Sequence, residues 1–166
     1  APALADAPVR PWARRLAASG LAALLVVPAA AVTAEGTSRM TYPRVPAAPT
    51  DLAALPQPVM VLPTSQGGDF LVMTWSTQGW PRLANGGSGF EPPTQSRLRR
   101  SLSGFPDADA VAALRAVGVR TVVLLPARAG GTPWADAAGR STAGLPLTVR
   151  QVAGPNGGAV VYTLTT

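Results

Sequence analysis

Two acidic side chains, Asp69 and Glu91, flank a stretch rich in Gly, Trp, Asn and Ser. Acid–base chemistry in this region would have to come from them. A pair of carboxylates can act as general acid and base, as in glycoside cleavage. Each also has a plainer role, Asp69 as a turn residue after Gly67-Gly68 and Glu91 as a loop charge beside Pro92-Pro93. Trp75 and Trp80 offer flat apolar faces that suit the C–H edges of a pyranose. Trp75 closes an apolar run and reads first as a packing residue, whereas Trp80 lies in the loop. Asn85 and Ser88 offer hydrogen-bonding groups for sugar hydroxyls, although Asn85-Gly86 also reads as a tight turn requiring positive φ. Gly86-Gly87-Ser88-Gly89 lacks the preceding strand, the following helix and the Lys of a phosphate cradle. The candidate substrate-contacting set is therefore Trp80, Asn85, Ser88, Phe90 and Glu91. No residue is assigned a catalytic role, and no metal or cofactor is expected.

Composition narrows the chemistry further. The 166 residues contain no Cys and no His, and all 14 basic residues are Arg. That removes thiolate and imidazole chemistry, the Ser-His-Asp triad, Schiff-base formation and the P-loop lysine. Only 13% of residues are charged, 47% are hydrophobic and 5% aromatic. The net charge of +6 is spread along the chain rather than gathered in a stripe with stacking aromatics, so nucleic acid is not an expected partner. The one tight basic group beyond the first residues is Arg97, Arg99 and Arg100. It could meet anionic lipid headgroups or a polyprenyl phosphate, or form a solvated helix face.

The elements that must position these residues read as one small α/β domain over residues 59–166. Val59 to Leu62, stopped by Pro63, reads as a buried strand. Gln66 to Asp69 reads as a turn and Phe70 to Trp75 as a second strand, with Leu71, Met73 and Trp75 on one face. Residues 76–93 form a long loop of the kind that often carries function. Thr94 is placed to cap a helix running to about Leu102. Asp107 caps a second helix, whose positions Val111, Leu114 and Val117 share a face and which Gly118 ends. Val119 to Leu125 is nearly all apolar and reads as a strand covered on both faces. The strand Phe70 to Trp75, the two helices and this strand would make a parallel β-α-β unit. A helical turn is expected around Trp134 to Ala138. Leu147 to Ala153 and Ala159 to Leu164 read as a terminal hairpin around Gly154-Pro155-Asn156-Gly157-Gly158.

Upstream, residues 35–58 are Pro-rich and read as a linker or a strap. Leu16 to Ala34 carries no charge and as a helix would span about 28 Å. Arg10, Arg14 and Arg15 precede it and Glu35 follows. This asymmetry makes residues 1–15 a cytoplasmic flank, 16–34 a transmembrane helix, and the rest extracytoplasmic. A signal peptide cleaved after Val32-Thr33-Ala34 is the rival reading. The start at Ala1 favours a late helix of a longer protein.

The segment Trp75-Ser76-Thr77-Gln78-Gly79-Trp80-Pro81-Arg82-Leu83-Ala84-Asn85-Gly86-Gly87-Ser88-Gly89-Phe90 resembles a stretch found in bacterial GT-C-type membrane glycosyltransferases. These are similar to the mannosyltransferase group that uses polyprenyl-phosphate sugars. The wider order is similar too, from Leu62-Pro63 through Phe105-Pro106-Asp107 to Leu114-Arg115-Ala116-Val117-Gly118-Val119-Arg120. Two positions depart, Gly79 where the family tends to have His and Gly87 where it tends to have Tyr. The resemblance implies a C-terminal extracytoplasmic domain at the cell membrane. Such a domain would shape the acceptor side of a transfer site whose catalytic carboxylate lies upstream of this chain. It further implies a polyprenyl-phosphate-linked sugar and a glycan or lipid acceptor as partners, and no transfer by this chain alone. The alternatives are a membrane-anchored or secreted binding module without catalysis, and a stand-alone carboxylate hydrolase.

Overall fold

The computed structural model describes residues 44–165. The basic flank 1–15 and the expected span 16–34 lie outside the described residues. Among the described residues no helix is long and apolar enough to cross a membrane.

The described chain is a small mixed α/β domain with four strands and four α-helices. In order these are β1 (Val59–Leu62), α1 (Gly68–Trp75), α2 (Pro93–Ser101), α3 (Ala108–Ala116), β2 (Thr121–Leu124), α4 (Pro126–Ala129), β3 (Leu147–Val152) and β4 (Ala159–Leu164). The sheet order is β1-β2-β4-β3. β1 and β2 are parallel, with Val59 opposite Thr121 and Leu62 opposite Leu124. β4 runs antiparallel to β2 and to β3, so the expected terminal hairpin is present.

Every residue of β1 and β2 is buried, because helices or chain cover both faces of the sheet. Met60, Leu62, Val122, Leu124, Val160 and Tyr162 point to one side and pack with Leu102, Phe105, Val111 and Leu114. Val59, Val61, Val123 and Val161 point to the other and pack with Val72, Trp75, Leu52 and Leu55. Residues 44–58 thus run over this second face as a strap. The Trp75 indole donates to the Pro46 carbonyl at 2.6 Å, and Asn156 Nδ2 donates to the Ala47 carbonyl at 3.0 Å. Trp75 is a packing residue, 5% exposed.

The largest correction concerns residues 70–75, which are helical and not a strand. Phe70 to Met73 is apolar without a break, and a short apolar run fits either period. Burial decides for the helix, since Asp69, Val72 and Trp75 point inward at a spacing of three while Phe70 and Met73 are exposed. The turn chemistry at residues 66–69 is the start of this helix, where Ser65 Oγ accepts from the Gly68 amide at 2.9 Å. The parallel β-α-β unit therefore begins with β1 and crosses through α1, α2 and α3 to β2.

Three smaller corrections follow. α2 is not capped by Thr94. Its N-cap is Pro92, in extended conformation, and Pro93 occupies the first turn with its φ already set for a helix. Asp107 caps α3 as expected, accepting from the Ala110 amide at 2.7 Å. The buried face of α3 is Ala110, Val111 and Leu114, while Val117 is its C-cap and 53% exposed. Gly118 follows at φ +77° and turns the chain back towards the sheet. The turn expected around Trp134 to Ala138 is a short 3₁₀ turn at Ala137–Gly139, and α4 was not foreseen.

Candidate functional site

β1 lies at one edge of the sheet, and an unpaired edge exposes amides and carbonyls that need partners. Residues 82–85 of the long loop supply them. The Val59 amide donates to the Arg82 carbonyl and the Ala84 amide donates to the Val59 carbonyl, both at 2.8 Å. One step on, the Asn85 side chain replaces a peptide group. Its Oδ1 accepts from the Val61 amide at 2.6 Å, and its Nδ2 donates to the Val61 carbonyl at 2.9 Å. Asn85 is buried and its φ is not positive. It is therefore neither a tight-turn residue nor available to a sugar hydroxyl, but a substitute strand residue.

Asn85 Nδ2 also donates to Asp69 Oδ1 at 3.0 Å. Asp69 is fully buried on the first turn of α1, where a bare carboxylate would be costly. It is satisfied by Thr64 Oγ1, donating at 3.0 and 3.1 Å, by the Gly86 amide at 3.3 Å and by Arg99 Nη2 at 2.8 Å. Arg99 reaches in from α2, also donates to the Gly86 carbonyl at 2.8 Å, and pairs through Nη1 with Glu91 Oε1. Both acids that flank the loop thus meet on one guanidinium. They are brought together as ligands of Arg99 and not as a free acid–base pair. Among the described residues no buried side-chain polar atom lacks a partner, and no three acidic residues gather in a group that could hold a metal ion.

Outside this buried knot lies a shallow cavity of about 240 Å³. Ser88, Phe90 and Glu91 line it, together with Gln66, Met73 and Gln95. Three of the five candidate residues therefore share one surface, Asn85 lies in the core beneath it, and Trp80 is not among the lining residues. Arg99 reaches the cavity from α2, whereas Arg97 and Arg100 of the same helix are exposed and do not line it. The basic trio is thus not one solvated or lipid-facing group.

No family model, curated protein or solved structure matches this chain. The chemistry of the site follows from its geometry alone.

Gly79 and Gly87 both sit where a side chain would be crowded. Gly79 sits at φ +77°, and a Cβ there would lie 2.7 Å from Ala53 Cβ of the strap. At Gly87 a Cβ would lie 3.1 Å from the Gln66 carbonyl oxygen and 3.5 Å from the Phe70 ring. The loop is thus fitted closely to α1. Trp80 follows Gly79 in the left-handed region at φ 49° and is 77% exposed. A bulky residue in that region is strained by about 1–2 kcal/mol, and burial gives nothing back at this position. Phe90 is similarly exposed, at 71%.

Gln66, Met73 and Gln95 are lining residues that the sequence does not single out, and Arg99 enters the site holding Asp69 and Glu91 rather than facing an anionic lipid. Only the i, i+4 spacing of Gln95 and Arg99 on one helix hinted at a shared face.

Proposed function

We propose that this chain is the extracytoplasmic, membrane-attached C-terminal part of a GT-C-type glycosyltransferase. In this reading it shapes the acceptor side of a lipid-linked-sugar transfer site and leaves the chemical step to groups elsewhere. The observation that carries the reading is the occupation of Asp69 and Glu91 by Arg99. The carboxylates that flank the segment resembling the transferases hold the loop, and the segment turns Trp80 and Phe90 to solvent. Such a surface binds and orients. It offers no unpaired acid beside an unpaired base, which proton transfer requires. The membrane placement rests on Arg10, Arg14 and Arg15 ahead of the uncharged stretch 16–34.

Two experiments test this. Alkaline phosphatase fused after Thr166 is expected to be active, and a fusion that works only as a cytoplasmic reporter contradicts the topology. In a longer protein bearing this chain, Trp80→Ala is expected to alter acceptor use while sparing the chemical step. Turnover of polyprenyl-phosphate sugars or glycosides by the chain alone, abolished by Glu91→Gln, would favour a hydrolase.

A further inference from the structure

The cavity beside α1 has a composition that selects its ligand. Its apolar side is Met73, 40% exposed, and Phe90, and Gly87 lets the loop close tightly against α1 beside them. Its polar side is made of amide, hydroxyl and carboxylate groups. Glu91 gives Oε1 to Arg99 and keeps Oε2. Gln66 commits Nε2 to the Ser88 carbonyl at 3.0 Å, and Gln95 commits Nε2 to the Ala84 carbonyl at 3.2 Å. Each of these amides thus keeps its Oε1 to accept and one N–H to donate. The ionised groups at the cavity are Glu91 and Arg99, and Arg99 already faces Asp69 from below. Two carboxylates therefore share one guanidinium, and the local balance is negative.

We propose that this cavity holds one sugar ring through its hydroxyls, with a C–H face against Phe90 and Met73, and that it rejects phosphate. Hydroxyls both donate and accept, which suits a lining of amides that do both beside the free Glu91 oxygen, and a flat apolar wall suits one face of a pyranose. The volume is below the roughly 300–1,000 Å³ of sites for drug-sized ligands, which limits the occupant to about one ring. A phosphoryl group would add negative charge beside Glu91 and find the guanidinium already engaged. The inference rests on the acceptor-side reading above for the source of the sugar. It departs from the alternative in which the arginine group meets a polyprenyl phosphate.

The test uses the whole chain with ¹³C-labelled methionine methyls, observed by NMR. The probes are methyl α-mannopyranoside, mannose 1-phosphate and inorganic phosphate. The pyranoside is expected to shift the Met73 methyl saturably, with a dissociation constant of about 1–10 mM, as befits a small exposed site. The buried Met60 methyl, 0% exposed, stays in place and reports that the core is intact. Phe90→Ala is expected to weaken binding by about tenfold through loss of the ring contact, with Met60 unchanged. Neither phosphate is expected to saturate the Met73 shift. An unmoved Met73 signal in all titrations, tighter binding of either phosphate than of the pyranoside, or undiminished binding in Phe90→Ala overturns the proposal. Those results leave the topology fusion and the acceptor-use assay free to succeed or fail independently.

Discussion

Arg99 Nη2 lies 2.8 Å from Asp69 Oδ2, and the two residues come from different helices and lie 30 positions apart. The Asp69 side chain is 0% exposed and that of Arg99 11%. A pair at this depth behaves unlike a surface ion pair, which contributes about 0–1 kcal/mol. Removing one partner leaves a desolvated charge behind, at a cost of about 3–5 kcal/mol. Arg99→Gln is therefore expected to lower the unfolding free energy by about 3–5 kcal/mol, measured by urea denaturation. Arg97→Gln and Arg100→Gln, on exposed positions of the same helix, are expected to change it by no more than about 0.5 kcal/mol. Equal effects at all three positions would mean that Arg99 is as solvated as its neighbours.

Asn85 completes the edge of β1 with its side chain. Asn85→Ala leaves the Val61 amide and carbonyl without their partner and removes one donor from Asp69. At about 1–3 kcal/mol per orphaned buried group, the two Val61 groups give an expected loss of about 2–6 kcal/mol, read from the denaturation midpoint. Hydrogen exchange at the Val61 amide should accelerate in the same variant. An unchanged midpoint with an unprotected Val61 in the wild type would remove the substitute-strand role.

Trp80 combines exposure with a left-handed backbone. Trp80→Gly relieves the local strain and loses little packing, so stability is expected to stay level or rise by up to about 1 kcal/mol. A substantial loss of stability would instead make Trp80 a structural residue and weaken the case for an acceptor-facing surface.

What could be read from the sequence divides along physical lines. Asp107 as a cap, Gly118 as a helix end, β1, β2 and the hairpin all rest on local rules that hold whatever packs around them. Residues 70–75 were misread because Phe70, Leu71, Val72 and Met73 are apolar without a break, and only the later burial of Asp69, Val72 and Trp75 selects the helical period. The roles of Asp69, Asn85 and Arg99 depend on three separate segments meeting at the edge of β1. No spacing within any one segment encodes that meeting. Phe90, Ser88 and Glu91 were recognised as sharing a loop, but their partners Met73 and Gln95 lie on helices whose placement required the fold.

Tyr162 provides a pH probe of the core. Its ring packs edge-on against Phe105 with centroids 5.0 Å apart, and its hydroxyl donates to the Ala137 carbonyl at 3.3 Å. Burial raises its phenol above the ordinary value of 10.0, and the nearby Arg140 opposes this to a smaller degree. Because the folded value is raised, this contribution to stability is fully present below about pH 10 and is lost as pH rises through the folded value. Tyr162→Phe is expected to cost about 0.5–1.5 kcal/mol at neutral pH through the lost hydrogen bond. It should also remove part of the alkaline loss of stability. A phenolate absorbance titration of Tyr162 at or below its ordinary value would contradict the burial.

The central claim is that the acid of the motif region is committed to holding the loop and not to catalysis. A double-mutant cycle on Asp69 and Arg99, read as unfolding free energies of the wild type, Asp69→Asn, Arg99→Gln and the double variant, tests it most directly. Each single change is expected to cost about 3–5 kcal/mol. The double variant is expected to lose less than their sum by about 1–3 kcal/mol, because the second change removes a charge already stranded by the first. Additive costs would show that Asp69 and Arg99 are not coupled, and an Asp69→Asn protein that unfolds like the wild type would show a carboxylate free of structural duty; either result contradicts the account.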